Sequence, residues 1–276
     1  MLKTLFWNIR QRPLLNLVGQ LVREHSVDVV VLAECQESPE GVQEAIQSSC
    51  DRRFFVPDAR PSRLVVVSGL GGDQFREVDL DLTGMMSIRC TTFGGMEFLW
   101  AFVHLGSKMF MESEDQTGLA REVSHRLRQI EERRGHGRTV LCGDFNMNPF
   151  ERGLVEAGAF HAMMTRGSVR RGHRTVMAQE FPFFYNPMWG LFGDRTAGPP
   201  GTYYSRRSSH LSYDWNLFDQ VLFRKDVLPY FESDPQIPTS AGSQSLVNKR
   251  GRPDKKNFSD HLPLLFTLGL NERDLA

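Results

Sequence analysis

The chain has 276 residues, of which 40% are hydrophobic and 20 are phenylalanine, so it can fill the core of one large domain. Its 33 basic and 33 acidic residues give a formal net charge of +0. This balance excludes a uniformly basic protein, although a local basic groove can exist on a neutral chain. Polar motifs are spread along the whole sequence, and we therefore expect a single domain over residues 1–276.

The N-terminus begins with strand-like residues, Met1 to Phe6, where an exported protein would carry a charged leader and a long apolar stretch. No apolar run approaches the ~20 residues that cross a bilayer. We expect a cytoplasmic protein without a membrane partner, and its oligomeric state stays open. The four cysteines, Cys35, Cys50, Cys90 and Cys142, show no metal-ligand spacing, and we expect them to be unpaired. Cys35 and Cys142 lie in or next to apolar runs and are expected to be small buried hydrophobic residues.

Apolar periodicity predicts the elements of the first half of the chain. A helix begins near Leu14 and ends near His25, and a second one covers Pro39 to Ile46. Strands are predicted at Leu64 to Ser68 and at Ser87 to His104, the latter as a hairpin around Gly94-Gly95.

The longest helical pattern covers Glu114 to Arg134 and carries an arginine-rich face, which we interpret as solvated. The section from Gly153 to Tyr213 is irregular and rich in aromatic residues. The polar section from Ser233 to Asn257, with prolines and several serines, predicts a mobile loop at 233–257 between two core strands. This order of elements predicts an α+β protein with packed sheets.

The most informative motif is Thr139 to Asn146, an apolar run that ends in Gly-Asp-Phe-Asn. A buried strand that stops there places the Asp144 carboxylate at the edge of a sheet, with Asn146 on the same face if the chain stays extended. A carboxylate beside a neutral amide suits phosphate chemistry, because the amide can donate to an anionic oxygen without adding negative charge.

Other apolar runs begin or end on polar side chains in the same way. A site built from many strand ends is one way in which a rigid scaffold places reactive groups. The residues at these positions are Asn8, Glu34, His104, Asp219 and the pair Asp260-His261.

This ordered set resembles the endonuclease/exonuclease/phosphatase superfamily, which has the deoxyribonuclease I-like fold. The similarity covers the chain from Asn8 to His261. It implies two mixed β-sheets packed face to face and flanked by helices, a four-layer α/β/β/α sandwich.

A divalent cation can neutralise phosphoryl charge and stabilise a leaving oxygen. Mg²⁺ prefers oxygen ligands and keeps several waters, so Glu34 is expected to be its principal ligand. Asn8 and Asp260 complete the protein's share, and the resemblance implies the same three residues. Mn²⁺ is expected to substitute for Mg²⁺.

His261 is expected to act as general base, because imidazole exchanges protons near neutral pH. Asp219 orients its ring, as the resemblance also implies. Asp144 positions the attacking water or shares in proton transfer, and Asn146 holds a phosphate oxygen. His104 stabilises the pentacovalent phosphate or protonates the leaving group.

The branch of the superfamily is indicated by Asn8-Ile9-Arg10 and by His104, which are similar to deoxyribonuclease I and imply that Arg10 contacts phosphate. The residues after Glu34 depart from that enzyme, which has an arginine there. Secreted sphingomyelinases share the two histidines, so His104 and His261 leave a lipid phosphodiester open.

The expected activity is Mg²⁺-dependent phosphodiester hydrolysis by water attack, with nucleic acid, DNA or RNA, as substrate. A phosphatase or phosphodiesterase for a small molecule or lipid headgroup is the alternative, and a non-catalytic binding module is the second. Aromatic and basic residues at Phe183 to Trp189 and Gly201 to Arg207 could stack bases or could pack the loop. Lys249 to Pro253 resembles the core of an AT-hook and is a candidate flap that grips the substrate.

Overall fold

The computed structural model describes residues 1–57, 62–80, 84–206, 210 and 212–270. Within these ranges the strands are β1 Leu2–Asn8, β2 Val29–Ala33, β3 Leu64–Ser68, β4 Arg76–Leu80, β5 Met86–Phe93, β6 Met96–His104, β7 Thr139–Asp144, β8 Ala162–Met163, β9 His173–Val176, β10 Gln179–Pro182, β11 Phe184–Tyr185, β12 Tyr203–Ser205, β13 Asp214–Asn216, β14 Asp219–Arg224, β15 Ser240–Ala241, β16 Gln244–Ser245 and β17 Leu264–Leu268.

The α-helices are α1 Leu15–His25, α2 Pro39–Gln47, α3 Ser113–Arg134, α4 Arg152–Val155 and α5 Arg166–Val169. Three 3-10 helices cover Gly72–Gln74, Pro187–Leu191 and Lys225–Tyr230. The predicted positions of α1, α2, α3 and β3, and of the β5–β6 hairpin, are confirmed to within a few residues. Among the described residues, no helix combines the length and apolar character that a bilayer span requires.

Two mixed sheets form the centre of the molecule. One has the strand order β17-β1-β2-β3, and the other has the order β4-β5-β6-β7-β14-β11-β8. In the first sheet β1 is parallel to β2 and antiparallel to β17. In the second, β7 is parallel to β6 and antiparallel to β14. The pairings of the larger sheet bring the ends of β6 and β7 and the start of β14 to one region, and the packing of the two sheets adds the end of β1.

The layers follow from strand alternation, since successive side chains point to opposite faces of a sheet. In β6, Phe98, Trp100 and Phe102 enter the core shared by the two sheets. Leu99 and Val103 face the other way, into the cluster that includes residues of α3.

Helices α1 and α2 cover the outer face of the smaller sheet, with Val18 and Ile46 buried against it. Helix α3 covers the outer face of the larger sheet through Val123, Leu127 and Ile130. The expected four-layer sandwich, two packed sheets flanked by helices, is confirmed.

The section expected to be irregular contains short elements, β8 to β12 with α4 and α5. Several of these strands have two or three residues, which is too short for an apolar period to show. The β9–β10 hairpin is exposed along most of its length.

The loop 233–257 carries the β15–β16 pair, and it buries Ala241 and Leu246 in the core cluster. Strand β15 lies against α1. The mobility expected for this loop stays a prediction.

Candidate active site

The register of the larger sheet brings three of the predicted residues side by side. Asp219, the first residue of β14, pairs with Asp144, the last residue of β7. His104, the last residue of β6, lies on the other side of Asp144. The strand ends therefore form one cluster, as the sequence pattern predicted.

Glycine at position 143 follows from this close approach of strands. A Cβ added there would lie 1.9 Å from the carbonyl oxygen of Val103 in the neighbouring strand β6, which is much shorter than a non-bonded contact allows. The glycine thus lets β7 pair with β6 up to Asp144, and the carboxylate reaches the sheet edge.

The smaller sheet contributes Asn8, the last residue of β1. Its Nδ2 donates to Asp144 Oδ2 at 3.0 Å and to Glu34 Oε1 at 3.1 Å. Its Oδ1 accepts from the backbone N–H of Arg10 at 3.0 Å. The buried amide therefore joins two carboxylates that come from different sheets, and both of its polar atoms are satisfied.

Backbone conformation aims several of these side chains. Glu34, Asn146 and Arg10 have φ values of 49°, 51° and 51°, in the left-handed region, which glycine and asparagine adopt readily and other residues seldom occupy. At Asn146 this bend lets the backbone N–H donate to Asp144 Oδ1 at 2.8 Å. The strain at Glu34 and Arg10, which both line one cleft, is typical of functional sites.

His261 and Asp219 form a buried pair, with Nδ1 donating to Oδ2 at 2.8 Å. The backbone around His261 is also fixed: its N–H donates to Ser259 Oγ at 3.1 Å, and its carbonyl accepts from Trp7 Nε1 at 2.9 Å. The imidazole is thus oriented with Nε2 free to face the cleft, 3.9 Å from Asp144 Oδ2.

Charge sets the protonation of His261. Burial alone would lower its pKa, but the negative charges of Asp219 and Asp144 outweigh burial and raise the pKa to about 10. With these carboxylates uncompensated, the ring holds its proton at neutral pH. Positive charge bound near them favours loss of that proton, which the role of general base requires.

His104 approaches the same carboxylates from the other side. Its Nε2 lies 3.7 Å from Glu34 Oε1 and 3.9 Å from Asp144 Oδ2. Its Nδ1 is buried, and no hydrogen-bond partner for it occurs within the described part of the chain. The two histidines therefore flank Asp144.

Oxygen-rich side chains suited to a hard cation lie in the same region. Glu34 and Asp260 line the cleft, and Asp260 Oδ2 lies 3.4 Å from Arg10 Nε. Ligand atoms of Asp144, Asp219 and His261 also lie within 4.8 Å of one another. Because Asp219 and His261 already bind each other, a cation that prefers oxygen fits the Glu34–Asp260 side better.

Asn8 fits that donor set less directly than expected. Its amide nitrogen faces Glu34, and its oxygen accepts the Arg10 N–H. Asn8 could offer its oxygen to a cation beside Glu34 only after the amide rotates. In the observed orientation it is a bridge between carboxylates, and its role as ligand stays a prediction.

The site opens into a cleft of about 400 Å³. Two of the nine predicted site residues, Asn8 and Asp219, lie behind the cleft. They form hydrogen bonds with residues that line it. The other seven line it directly: Arg10, Glu34, His104, Asp144, Asn146, Asp260 and His261.

Lys108, Phe110 and Tyr213 line the cleft and were not predicted as site residues, whereas Tyr203 lies in an aromatic and basic stretch that was considered for base stacking. Lys108 follows β6, forms an ion pair with Glu151, and holds its Nζ 5.2 Å from the centre of the Phe218 ring. Tyr203 stacks on Phe218 with ring centres 5.2 Å apart, and it lies 4.8 Å from the His261 ring. Lys108 could have been predicted from its position, because it is a basic residue four positions after His104, the polar end of a predicted strand. Phe110 and Tyr213 lie on loops without periodicity.

Of the two aromatic and basic stretches, one contributes Tyr203 to the cleft, and Arg207 of that stretch lies outside the described residues. The AT-hook-like segment lies nearby, because the Arg252 guanidinium is 4.0 Å from the centre of the Tyr204 ring. Arg12 donates to the carbonyl oxygen of Lys255 at 3.3 Å, which joins the loop after β1 to the residues that precede Asp260.

A family model described as the Endonuclease/Exonuclease/phosphatase family matches residues 5–261. The chain belongs to this family. The residues that the family model covers include all nine of the predicted site residues. No curated protein sequence matches the chain significantly.

Solved structures of the endonuclease/exonuclease/phosphatase family superpose on nearly the whole chain. A family protein from Leptotrichia buccalis C-1013-b matches with a TM-score of 0.59 and 12% identity, over 97% of this chain and 99% of that chain. D. rerio TDP2 complexed with single strand DNA product matches with a TM-score of 0.54 and 16% identity, over 97% of this chain and 98% of that chain. The endonuclease domain of TRAS1, a telomere-specific non-LTR retrotransposon, matches with a TM-score of 0.53 and 11% identity, over 99% of this chain and 100% of that chain.

At such identities these likenesses show the fold, and the family match shows the wider chemistry. Members of the family are phosphoric ester hydrolases that depend on divalent metal. The chain is accordingly a phosphodiesterase- or nuclease-type phosphoric ester hydrolase.

Proposed function

We propose that this protein is a Mg²⁺-dependent nuclease that hydrolyses phosphodiester bonds of DNA or RNA by attack of water. The observation that carries this proposal is the position of Asp144. Its Oδ2 lies 3.9 Å from Nε2 of both His104 and His261, and Asp219 holds the second histidine from behind. One carboxylate between two oriented imidazoles can place a water and a phosphate oxygen together.

The proton from the attacking water goes to the His261–Asp144 pair. Nδ1 of His261 is committed to Asp219, so Nε2 is the atom that can exchange a proton with the cleft. Asp144 keeps its orientation through the N–H groups of Asn8 and Asn146. These fixed donors reduce the reorganisation that the reaction requires.

The anionic phosphate meets positive and amide groups that line the cleft. Arg10 and Lys108 carry the charge, and each is held by a carboxylate, Asp260 or Glu151. Asn146 donates one amide hydrogen to the carbonyl oxygen of Leu105 at 3.0 Å, which leaves the second for a phosphate oxygen. His104 completes the set on the side of the leaving group.

Glu34 and Asp260, with Asn8 after rotation of its amide, are the residues that would hold Mg²⁺, and Mn²⁺ would suit the same oxygens. The bound cation would neutralise phosphoryl charge and stabilise the leaving oxygen.

A polymer substrate is favoured by basic side chains that continue beyond the single phosphate site. Arg12 joins the loop after β1 to Lys255, and Arg252 lies on Tyr204, next to Tyr203 of the cleft. A substrate with several phosphates can use such a continuation, whereas a small phosphoester cannot. Among the structural relatives, TDP2 was solved with a single-stranded DNA product.

The rival is a phosphatase or phosphodiesterase for a nucleotide or a phosphoinositide, which the modest cleft of about 400 Å³ would accommodate. Purified protein with Mg²⁺ should be incubated separately with labelled single- and double-stranded DNA and RNA, nucleotides and inositol phosphates, beside the His261→Ala variant. Cleavage of a polymer by the wild type alone supports the proposal. Release of phosphate from the small molecules, with all polymers intact, would establish the rival.

A further inference from the structure

Two aromatic side chains at the mouth of the cleft are unusually exposed. Phe110, on the loop after β6, is 86% exposed, and Tyr213, just before β13, is 45% exposed. Both line the same cleft as Asp144 and His261. A large apolar side chain left in water beside a functional cleft is typical of a surface that a ligand covers.

Tyr213 is held by other aromatic rings. Its ring centre lies 5.0 Å from that of Phe150 in an edge-to-face contact, and Phe150 in turn contacts Phe192 at 5.7 Å. This support fixes the ring of Tyr213 while it stays half exposed. A fixed, flat and accessible ring can stack on a nucleobase with little loss of conformational entropy.

Positive charge lies next to these rings. Lys108 is two residues before Phe110 on the same loop, and Arg10 lines the cleft as well. The mouth of the cleft thus offers flat apolar faces beside groups that attract phosphate, which is the combination found where single strands bind.

We propose that Phe110 and Tyr213 stack on an unpaired base next to the phosphate that is cleaved, so that single-stranded nucleic acid is the preferred substrate. This inference rests on the proposed nuclease function. Bases in a duplex have both faces covered by their neighbours, and they must be unstacked before a ring can contact them. The cleft, of about 400 Å³, has room for one phosphate and a flanking nucleoside.

The test uses three labelled substrates of equal length: a single-stranded DNA, the same strand in a duplex, and a strand of abasic tetrahydrofuran phosphates. The enzyme forms are wild type, Phe110→Leu and Tyr213→Leu, in which an apolar side chain replaces each flat ring. Met177→Ala is the control, because Met177 is 98% exposed on the β9–β10 turn, outside the cleft. The quantity measured is kcat/KM with Mg²⁺.

We expect the wild type to cleave the single strand faster than the duplex or the abasic strand. Each leucine variant should lower kcat/KM for the single strand about tenfold and leave the abasic strand unchanged. The inference is overturned if the wild type has the same kcat/KM for the duplex and the single strand. It is also overturned if the variants lower kcat/KM for the single strand and the abasic strand by the same factor, or leave both values unchanged. The single strand and the duplex are also tested as RNA. If the wild type cleaves neither DNA nor RNA, the proposed nuclease function fails together with this inference.

Discussion

Asn8 Nδ2 donates to Asp144 Oδ2 at 3.0 Å, and this contact joins the last residue of β1 in the smaller sheet to the last residue of β7 in the larger one. The same nitrogen donates to Glu34 Oε1. One amide therefore fixes the relative position of two carboxylates that belong to different sheets. The reaction geometry depends on how the sheets pack, as well as on each strand end.

Replacement of Asn8 by alanine is expected to damage both activity and stability. A buried hydrogen bond to Asp144 and a partly buried one to Glu34 disappear, and the free energy of unfolding should fall by about 1–3 kcal/mol. Because Asp144 loses a positioning donor, kcat should fall at least tenfold, about 1.4 kcal/mol in activation free energy. Urea unfolding and steady-state kinetics measure the two effects. Unchanged kcat at unchanged stability would contradict the bridging role.

Replacement of Asp219 by asparagine should leave the fold intact and lower kcat by about 10²–10⁴, since His261 loses the group that fixes its ring and its charge. The pKa of His261 should also fall from about 10, because the negative charge of Asp219 contributes most to raising it. An NMR titration of the imidazole reports this shift independently of turnover.

The matched control for that change is Asp226→Asn. Asp226 is exposed and lies just beyond the other end of β14. It should alter neither kcat nor the His261 titration. A comparable loss of kcat in both variants would show that the effect of Asp219 is not specific to the site.

Lys108→Met should weaken substrate binding more than it slows the chemical step. One charge that faces the phosphate is lost, so KM should rise about tenfold, and the slope of log K against log salt should become shallower by about 1. Lys225→Met removes a lysine just beyond the end of β14 that is distant from the cleft, and it serves as the control. A salt slope that Lys108→Met leaves unaltered would exclude Lys108 from phosphate contact.

Combined substitution of Lys249, Arg250 and Arg252 by glutamine tests the segment predicted to grip the substrate. If these side chains contact phosphates of a polymer, affinity for labelled DNA should fall and its salt dependence should flatten. Hydrolysis of a small phosphoester should be unaffected, because the segment contributes no residue to the lining of the cleft. Equal affinity and an equal salt slope would refute this role.

The buried His161 is expected to make the stability of the folded protein depend on pH. Burial lowers its pKa from 6.5 to about 4, although Nδ1 donates to the carbonyl oxygen of Phe181 at 3.1 Å. The folded protein therefore keeps this ring neutral between pH 6.5 and 4, while the unfolded chain takes up a proton. The resulting stabilisation is complete above pH 6.5 and is lost as pH falls towards 4, by up to about 3 kcal/mol.

The measurement is the free energy of unfolding from urea titrations at several pH values, for wild type and His161→Asn. Asparagine tolerates the φ of 51° at this position and can donate a similar hydrogen bond. The variant should lose less stability than the wild type between pH 6.5 and 4. His173→Asn, at an exposed position, is the control. Parallel pH curves for wild type and His161→Asn would contradict the assignment.

The sequence predicted the strand ends well because an apolar run followed by a polar residue is a local pattern. Asp144, Asp219 and His104 meet because neighbouring strands of one sheet end together. The Asn8–Asp144 contact could not be predicted in the same way, since it depends on the packing of two sheets. Phe110 and Tyr213 escaped prediction because loop residues have no period that places them at a cleft.

Metal-dependent hydrolysis at this cleft is tested by the initial rate of cleavage of labelled single-stranded DNA and RNA by protein treated with EDTA, before and after addition of Mg²⁺. Wild type and Asp144→Asn are compared in the same series. We expect the wild type alone to cleave at least one of the two strands, and only after Mg²⁺ is added. Cleavage that continues in EDTA, or that Asp144→Asn retains at the wild-type rate, would contradict metal-dependent hydrolysis at this cleft.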